Sequence, residues 1–446
     1  MKHLFCPRNT LLTFLSAVTL AAGALAGDFA VRDGDRVVFL GDSITEQRLY
    51  TTYIEAYALT RHPEWKLAFR NVGWGGDTAW LRQRSHPDER ALFEADAASQ
   101  QKMVEDAVGH GLRRDVLPLK PTLVTVDFAM NDHSYQAFRP DIFAAHVRSQ
   151  EQIAKVLQTD GCRVAFLTTQ PIEDKRSDPD KDVRNQSLRK FSDGLKTVAA
   201  GAGALFVDQF DPYMAMLVRE REGNPPRFIG GGDAVHPGPI GHTVMAWAIL
   251  KGLDAPALVS MVGIDGATGQ LGGAQGCRVE NLRLSEGTIS FDRSDEALPM
   301  PIDPKAEPAL KLAPILDDLS RYGLQVTGLA PGSYEVAIDG QTVAKLSSEE
   351  LAKGCNLTIT AGPITEQARQ VLNLVVKKND LFFNRWRNIQ LYSFPGWAQG
   401  PEIPEFEARR SAEVARIDQQ IADQEARIDE IRRPKPHHFT VKPAAQ

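Results

Sequence analysis

The sequence predicts an α/β protein built on a parallel sheet. From Gly27 to about Leu253, apolar runs of strand length alternate with longer amphipathic stretches. Short β-branched runs bounded by Gly, Asp or Asn and separated by helical lengths are typical of βα units, whose parallel strands are buried on both faces. The predicted strands are Arg36–Leu40, Leu67–Val72, Leu123–Phe128, Val164–Thr168 and Ala204–Val207. We therefore expect residues 27–253 to form a three-layer α/β/α domain.

The last helix of this domain is predicted at Gly238–Leu253. Pro237 and Pro239 mark its start, where the fixed φ of proline suits the first helical turn. An apolar face follows at helical spacing, which predicts packing against the sheet.

The sequence changes character after Leu253. Glycine-rich and proline-rich stretches flank short alternating segments, and Asp339-Gly340 separates two of them, which is a strong hairpin signal. We predict a mixed, β-containing accessory region at residues 254–400, with one helix at Ile364–Lys378.

Residues 401–446 form a third segment. Apolar residues in Glu405–Arg432 fall at heptad a and d spacing, so a helix is predicted. Its apolar stripe leaves two alternatives open: a coil that forms a homodimer, or a solitary helix docked on its own chain. The final Arg433–Gln446 carries Pro434 and Pro436 and is predicted to be a flexible tail; its two adjacent histidines do not predict a metal site.

Composition excludes some function classes. The chain has 446 residues with 43% hydrophobic residues, which is enough to bury a substantial core. Acidic residues outnumber basic ones by 57 to 51, giving a net charge of −6. Nucleic-acid binding is disfavoured because it draws on a basic face.

The first 26 residues predict export. Lys2 and Arg8 precede an apolar run, and Ala24-Leu25-Ala26 supplies small residues for cleavage, as in a signal peptide. The run is shorter than the roughly 20 residues that a spanning helix needs, so we expect no stable membrane span. The expected location is periplasmic or extracellular. Three cysteines would remain after cleavage, so at most one intramolecular disulfide is expected.

A serine follows the first predicted strand. In Gly41-Asp42-Ser43-Ile44-Thr45 the strand ends at Gly41, where the chain would turn into a helix. Open α/β sheets place their ligand crevices at the carboxyl ends of strands, and a helix N-terminus favours developing negative charge. Ser43 is therefore a candidate nucleophile, with an ordinary N-cap serine as the structural alternative.

The segment Asp233-Ala234-Val235-His236 supplies a base and an orienting acid. The i, i+3 spacing lets the Asp233 carboxylate reach the His236 imidazole and hold it in one tautomer. Acyl transfer also needs donors for an oxyanion. Gly76 in Gly75-Gly76-Asp77 and Asn131 in Asn131-Asp132 follow two further strands and supply a backbone N–H and a neutral amide.

These ordered blocks resemble the GDSL/SGNH hydrolases, whose name lists Ser, Gly, Asn and His. The resemblance covers roughly Asp28 to Leu253. It implies a flavodoxin-like α/β/α fold, no cofactor and no metal. It further implies a catalytic triad and an oxyanion hole. The triad would be Ser43, Asp233 and His236, and the hole would be formed by Ser43, Gly76 and Asn131.

One position departs from the family pattern. The third block usually reads Gly-x-Asn-Asp, whereas this chain has Ala129 at the first position. The added methyl is expected to tighten the turn without removing the donor. Nearby, His133 is expected on a surface loop, with a place in the substrate pocket as the alternative, and His242 is expected within a helix. Trp74, Trp80 and Phe93 are expected in the core, with stacking on sugar rings as the alternative.

The resemblance implies a serine esterase that hydrolyses carboxylic esters, and the first 26 residues predict that it is exported. O-acetyl groups on carbohydrate are favoured among substrates, because the chain carries an export signal, an acidic surface and an appended β-containing region of a kind that can hold glycans. The partner is then a small-molecule or polysaccharide ester. The alternatives are a lipase or broad short-chain carboxylesterase, and a non-catalytic secreted interaction protein on a hydrolase scaffold.

Overall fold

The computed structural model describes residues 28–392, 400 and 402–445. The predicted signal peptide at residues 1–26 lies outside the described residues. Among the described residues, no helix is long and apolar enough to cross a membrane. Cys162, Cys277 and Cys355, the cysteines that the structure describes, are all free thiols.

The N-terminal domain is a parallel five-stranded sheet between helices, as predicted. Its strands are β1 (Arg36–Gly41), β2 (Ala68–Asn71), β3 (Leu123–Asp127), β4 (Arg163–Leu167) and β5 (Leu205–Val207). Its helices are α1 (Ser43–Glu46), α2 (Leu49–Arg61), α3 (Arg82–Ser85), α4 (Glu89–Glu94), α5 (Ala97–Asp115), α6 (Pro140–Thr159), α7 (Val183–Ala202), α8 (Phe210–Glu222) and α9 (Pro239–Gly252), with a 3-10 turn at Leu117–Leu119.

The strand order of this sheet is β2-β1-β3-β4-β5, and each neighbouring pair is parallel. Every residue of β3 is buried, so helices cover both faces of the sheet. The winding reverses between β1 and β3. In open α/β sheets this reversal opens a crevice at the carboxyl ends of the two strands, which is the default place for a ligand.

The second half of the chain contains two more sheets and a pair of long helices. Its strands are β6 (Leu258–Asp265), β7 (Gln270–Gln275), β8 (Cys277–Ser285), β9 (Thr288–Asp295), β10 (Arg321–Thr327), β11 (Ser333–Ile338), β12 (Gln341–Ser347), β13 (Cys355–Asn356) and β14 (His437–Pro443). Its helices are α10 (Ile315–Leu319), α11 (Ser348–Lys353), α12 (Pro363–Phe383) and α13 (Glu402–Ile431), with 3-10 turns at Pro304–Lys311. A π-helix at Asn384–Gln390 continues α12.

The two accessory sheets have strand orders β13-β10-β6-β7 and β12-β11-β14-β9-β8. The predicted hairpin is confirmed as β11 and β12, with Ile338 paired to Gln341. Asp339 and Gly340 both have positive φ, 50° and 81°, as a two-residue turn between twisted strands requires.

The predicted flexible tail is wrong. Residues His437–Pro443 form β14, which lies between β9 and β11 in the middle of a sheet. Phe439 and Val441 are buried there, and Phe439 stacks on Phe291 with ring centroids 5.2 Å apart. The period-two alternation of a half-buried strand is present in this segment, but the flanking prolines suggested a loop.

The apolar stripe of α13 is covered by its own chain. Ile417, Ile421 and Ile428 are buried, and α13 packs along α12. The docked helix is therefore the alternative that the structure supports, and the homodimer stays a prediction.

We predict that Phe439→Ala lowers the free energy of unfolding by about 3 to 5 kcal/mol, because it empties a fully buried site. Urea denaturation followed by fluorescence measures the change. Lys442→Ala, on the exposed side of the same strand, is the matched control and should stay within about 0.5 kcal/mol of the parent. Equal effects of the two substitutions would contradict the packing of β14.

Candidate active site

Ser43 lies at a tight strand-to-helix turn. Asp42 caps α1, and its Oδ1 accepts the Ile44 N–H at 2.9 Å. Gly41 allows the close approach before the turn, because a Cβ there would lie 2.1 Å from Thr45 Oγ1 and 2.7 Å from the Asp127 carbonyl oxygen. The serine therefore occupies the first position of a helix at the crevice between β1 and β3.

Ser43, His236 and Asp233 come together as the sequence predicts. Ser43 Oγ lies 2.9 Å from His236 Nε2, and His236 Nδ1 lies 3.0 Å from Asp233 Oδ2. With the proton on Nδ1 directed to the carboxylate, Nε2 is free to accept from the serine hydroxyl. This is the geometry of a nucleophile, a base and an orienting acid.

The loop itself fixes the Asp233 carboxylate. Its Oδ1 accepts the backbone N–H groups of Val235 and His236, each at 2.7 Å. Burial acts to raise the pKa of Asp233, but these N–H donors and the His236 ring outweigh it and lower the pKa below the usual range. The carboxylate therefore stays charged and can hold the imidazole in one orientation.

Two residues that sequence reasoning missed support this loop. Glu173 accepts the backbone N–H groups of Ile229 and Gly230 at 2.8 and 2.6 Å. Gln170 Nε2 donates to the Val235 carbonyl at 2.9 Å. Both precede the loop by more than 50 residues, so no local pattern connects them with it.

The second block, Gly75-Gly76-Asp77, lies against Ser43. A Cβ on Gly75 would be 3.9 Å from the Ser43 Cβ. The Gly75 N–H already donates to Glu46 Oε2 at 2.8 Å, whereas the N–H groups of Ser43 and Gly76 have no acceptor among the described residues. Gly76 has φ 77°, which a glycine adopts without strain.

Asn131 is held beside the same block. Its Nδ2 donates to the Asp77 carbonyl at 2.9 Å, and its Oδ1 accepts from the Tyr135 hydroxyl at 3.0 Å. An amide nitrogen has two hydrogens, so one remains for an oxyanion. Asn131 therefore lies beside the block that contains Gly76, and Gly75 lies against Ser43. The role of Ser43, Gly76 and Asn131 as oxyanion donors stays a prediction.

Asp132 ties the second and third blocks together. Its carboxylate accepts the backbone N–H groups of Ala79 and Ala129 and lies 2.7 Å from His146 Nδ1. Asp132 therefore bonds to backbone groups of both blocks.

Other candidate residues behave differently. His133 is buried, so its predicted surface position is wrong; its Nδ1 lies 3.2 Å from the Ala129 carbonyl. His242 lies inside α9 as expected, stacks on Tyr50, and donates from Nε2 to Gln47 at 2.9 Å. Burial lowers the pKa of His242 to about 3, so it stays neutral. Trp80 packs edge to face on Phe93, as expected for core residues.

A family model described as the GDSL-like lipase/acylhydrolase family matches residues 39–244. No curated protein sequence matches the chain. Among solved structures, a gut microbial diltiazem-metabolizing enzyme is 24% identical, covers 93% of this chain and 98% of its own, and has a TM-score of 0.76. This likeness shows that the fold of both halves of the chain occurs in another protein.

Two smaller solved structures resemble about half of the chain. An acetylxylan esterase from Geobacillus stearothermophilus is 19% identical over 50% of this chain and 96% of its own, with a TM-score of 0.36. An alpha/beta hydrolase enzyme from the metagenome of Lake Arreo, Spain, is 22% identical over 50% of this chain and 97% of its own, with a TM-score of 0.36.

The buried Asp42 gives a first prediction for this site. Burial, opposed by the Ile44 N–H and assisted by the Asp132 and Asp77 carboxylates, raises the pKa of Asp42 to about 8 from the ordinary 3.8. The stabilising contribution of its neutral form is therefore complete below about pH 4 and is lost as pH rises through about 8.

Asp42→Asn keeps a capping oxygen and cannot ionise. We expect its stability advantage over the parent, measured by urea denaturation, to grow by at least about 1 kcal/mol between pH 5 and 8.5. All other titrating groups are common to both proteins. An advantage independent of pH would contradict a neutral Asp42.

Ala129 gives a second prediction. Its φ is 118°, a conformation that glycine adopts freely and alanine adopts at a cost of about 1 to 3 kcal/mol. Ala129→Gly should therefore raise the free energy of unfolding by about 1 kcal/mol despite the greater freedom of glycine in the unfolded chain. Ala415→Gly, at an exposed position inside α13, is the control and should lower it by a similar amount. Destabilisation by both would show that Ala129 is not strained.

Proposed function

We propose that Ser43, His236 and Asp233 form the catalytic triad of this carboxylic ester hydrolase, whose residues 39–244 match the model of the GDSL-like lipase/acylhydrolase family. The observation that carries this assignment is the continuous hydrogen-bonded path from Ser43 Oγ through both ring nitrogens of His236 to Asp233.

In the proposed reaction, Ser43 Oγ attacks the ester carbonyl while His236 Nε2 takes its proton. The resulting oxyanion accepts hydrogen bonds from the Ser43 and Gly76 N–H groups and from Asn131 Nδ2. His236 then gives the proton to the departing alcohol, which leaves an acyl-serine. Water, deprotonated by the same ring, attacks the acyl-serine, and the acid leaves as Ser43 recovers its proton.

We propose O-acetyl groups on carbohydrate as the substrate class. The site is open, since the side chains of His236 and Asp233 are 37% and 66% exposed. An open triad accommodates a bulky leaving alcohol. The border is polar as well, because Gln83 Nε2 and an Arg82 nitrogen lie 3.1 and 3.8 Å from where a Gly76 Cβ would be.

A long acyl chain would need an apolar surface beside the serine. Tyr135 lies beside Asn131, to which its hydroxyl group donates, and its side chain is 41% exposed. It therefore offers an aromatic ring that ends in a polar hydroxyl group. These side chains suit a hydroxylated leaving group better than a lipid. The same polar surroundings of Ser43 would also suit a broad short-chain carboxylesterase, which is the alternative.

We further propose that the protein is exported. This rests on the basic start, apolar run and small residues of segment 1–26. Export would place the enzyme where acetylated polysaccharides occur outside the cytoplasm.

Ser43→Ala is expected to lower kcat on 4-nitrophenyl acetate by at least about 10³-fold, because it removes the nucleophile. Spectrophotometric release of nitrophenol measures the rate. Ser192→Ala, whose hydroxyl bonds to the Leu188 carbonyl in α7, is the matched control and should keep the parent rate. Equal rates for Ser43→Ala and the parent would remove the nucleophile assignment.

The substrate class is tested by acetate release from a panel of acetylated polysaccharides, measured beside nitrophenyl esters of increasing acyl length. We expect acetyl to be preferred over longer acyl chains, and one glycan over the nitrophenyl ester. Faster turnover of long acyl chains would favour a lipase. No turnover of any ester would favour the non-catalytic scaffold.

A further inference from the structure

The accessory helices lie directly behind the proposed oxyanion donors. Helix α12 packs on α2 and β2. Inside that interface Lys378 forms a buried ion pair with Glu55 and also donates to the Phe69 carbonyl. The π-helix that follows α12 is thereby fixed relative to the N-terminal domain. Such π segments often occur at functional positions.

The π-helix contacts Trp74, which precedes Gly75 and Gly76. The Arg387 guanidinium lies over the Trp74 ring, 3.9 Å from its centroid. Trp386, only 1% exposed, meets the same ring edge to face with centroids 5.9 Å apart. The Trp74 N–H donates to the Gly41 carbonyl at 3.0 Å, so the loop is clamped between β1 and the second half of the chain.

A charged path leads from the π-helix to the loop. Arg387 Nε lies 3.5 Å from Glu46 Oε1, and Glu46 Oε2 accepts the Gly75 N–H at 2.8 Å. Glu46 is the last residue of α1, the helix that begins with Ser43. The Glu46 carboxylate thus contacts Arg387 of the accessory half through one oxygen and the Gly75 N–H through the other.

We propose that Arg387 and Glu46 are positioning residues for the oxyanion loop, and this rests on the proposed ester hydrolysis. Glu46 engages the Gly75 N–H and so leaves the Gly76 N–H as the free donor. Its charge would oppose the oxyanion that develops nearby, and Arg387 neutralises that charge. The accessory half therefore contributes to catalysis without touching the substrate.

Charge neutralisation makes a distinctive prediction. Arg387→Ala leaves an uncompensated carboxylate beside the oxyanion and should lower kcat on 4-nitrophenyl acetate about 10- to 100-fold, with KM within about 2-fold. Arg387→Lys keeps the charge and should recover much of the loss. Glu46→Gln keeps an acceptor for the Gly75 N–H but removes the negative charge, so the double variant Glu46→Gln, Arg387→Ala should return to within about 5-fold of the parent.

Arg385→Ala is the matched control. Arg385 lies on the same π-helix but pairs with Asp418 of α13, away from Trp74. Its loss removes an ion pair of the accessory half without affecting Glu46, and we expect kcat within about 2-fold of the parent. An effect as large as that of Arg387→Ala would point to general loosening of the helices and overturn the proposal.

A second readout does not depend on turnover. Exchange of the Gly75 amide hydrogen, which is bonded to Glu46, followed by NMR, should be faster in Arg387→Ala than in the parent and unchanged in Arg385→Ala. If the parent turns over no ester, the proposed function fails while this measurement still decides whether the loop is braced. Unchanged exchange, unchanged kcat in Arg387→Ala, or a double variant no better than Arg387→Ala would each overturn the proposal.

Discussion

The close contact between Gly41 and the end of β3 is the constraint on which the site depends. With no side chain at Gly41, β1 can approach the Asp127 carbonyl and turn at once into α1. That turn places Ser43 at a helix N-terminus over the crevice where the sheet reverses its winding. The second block, the third block and the loop Asp233–His236 also lie at the carboxyl ends of the strands, and this brings them close to Ser43.

Buried carboxylates fix the backbone of the blocks. Asp42 accepts the Ile44 N–H within the first block, and Asp77 accepts the Gln83 N–H just after the second. Asp132 joins the second and third blocks by accepting the N–H groups of Ala79 and Ala129. Burying an acid is costly unless it is bonded or neutral, so each one needs its partners in place. Burial raises the pKa of both Asp42 and Asp77. The buried Arg84 guanidinium opposes this shift at Asp77, whereas the Ile44 N–H opposes it at Asp42.

Features with a local signature could be predicted from the sequence. The five strands overlap the predicted runs because each run is short and rich in apolar residues, and the proposed site residues follow from motifs at strand ends and on one late loop. Contacts between distant segments could not be predicted. Glu173 supports a loop more than 50 residues later, and Arg387 reaches Glu46 across most of the chain. The sequence did not predict strand β14 because Pro434 and Pro436 suggested a loop, although buried and exposed residues alternate regularly along the strand.

The second half is therefore not a separate appendage to the N-terminal domain. If it were removed, Glu55 would lose Lys378 and Asn379, and the surface of α2 and β2 that α12 covers would be exposed to water. Trp74 would lose both the Trp386 ring and the Arg387 guanidinium that hold its face. The same surface that stabilises the N-terminal domain thus carries the groups that brace the second block. In the proposed mechanism, stability and oxyanion geometry therefore depend on one interface, which explains why half of the chain can lack a motif of its own and still belong to the enzyme.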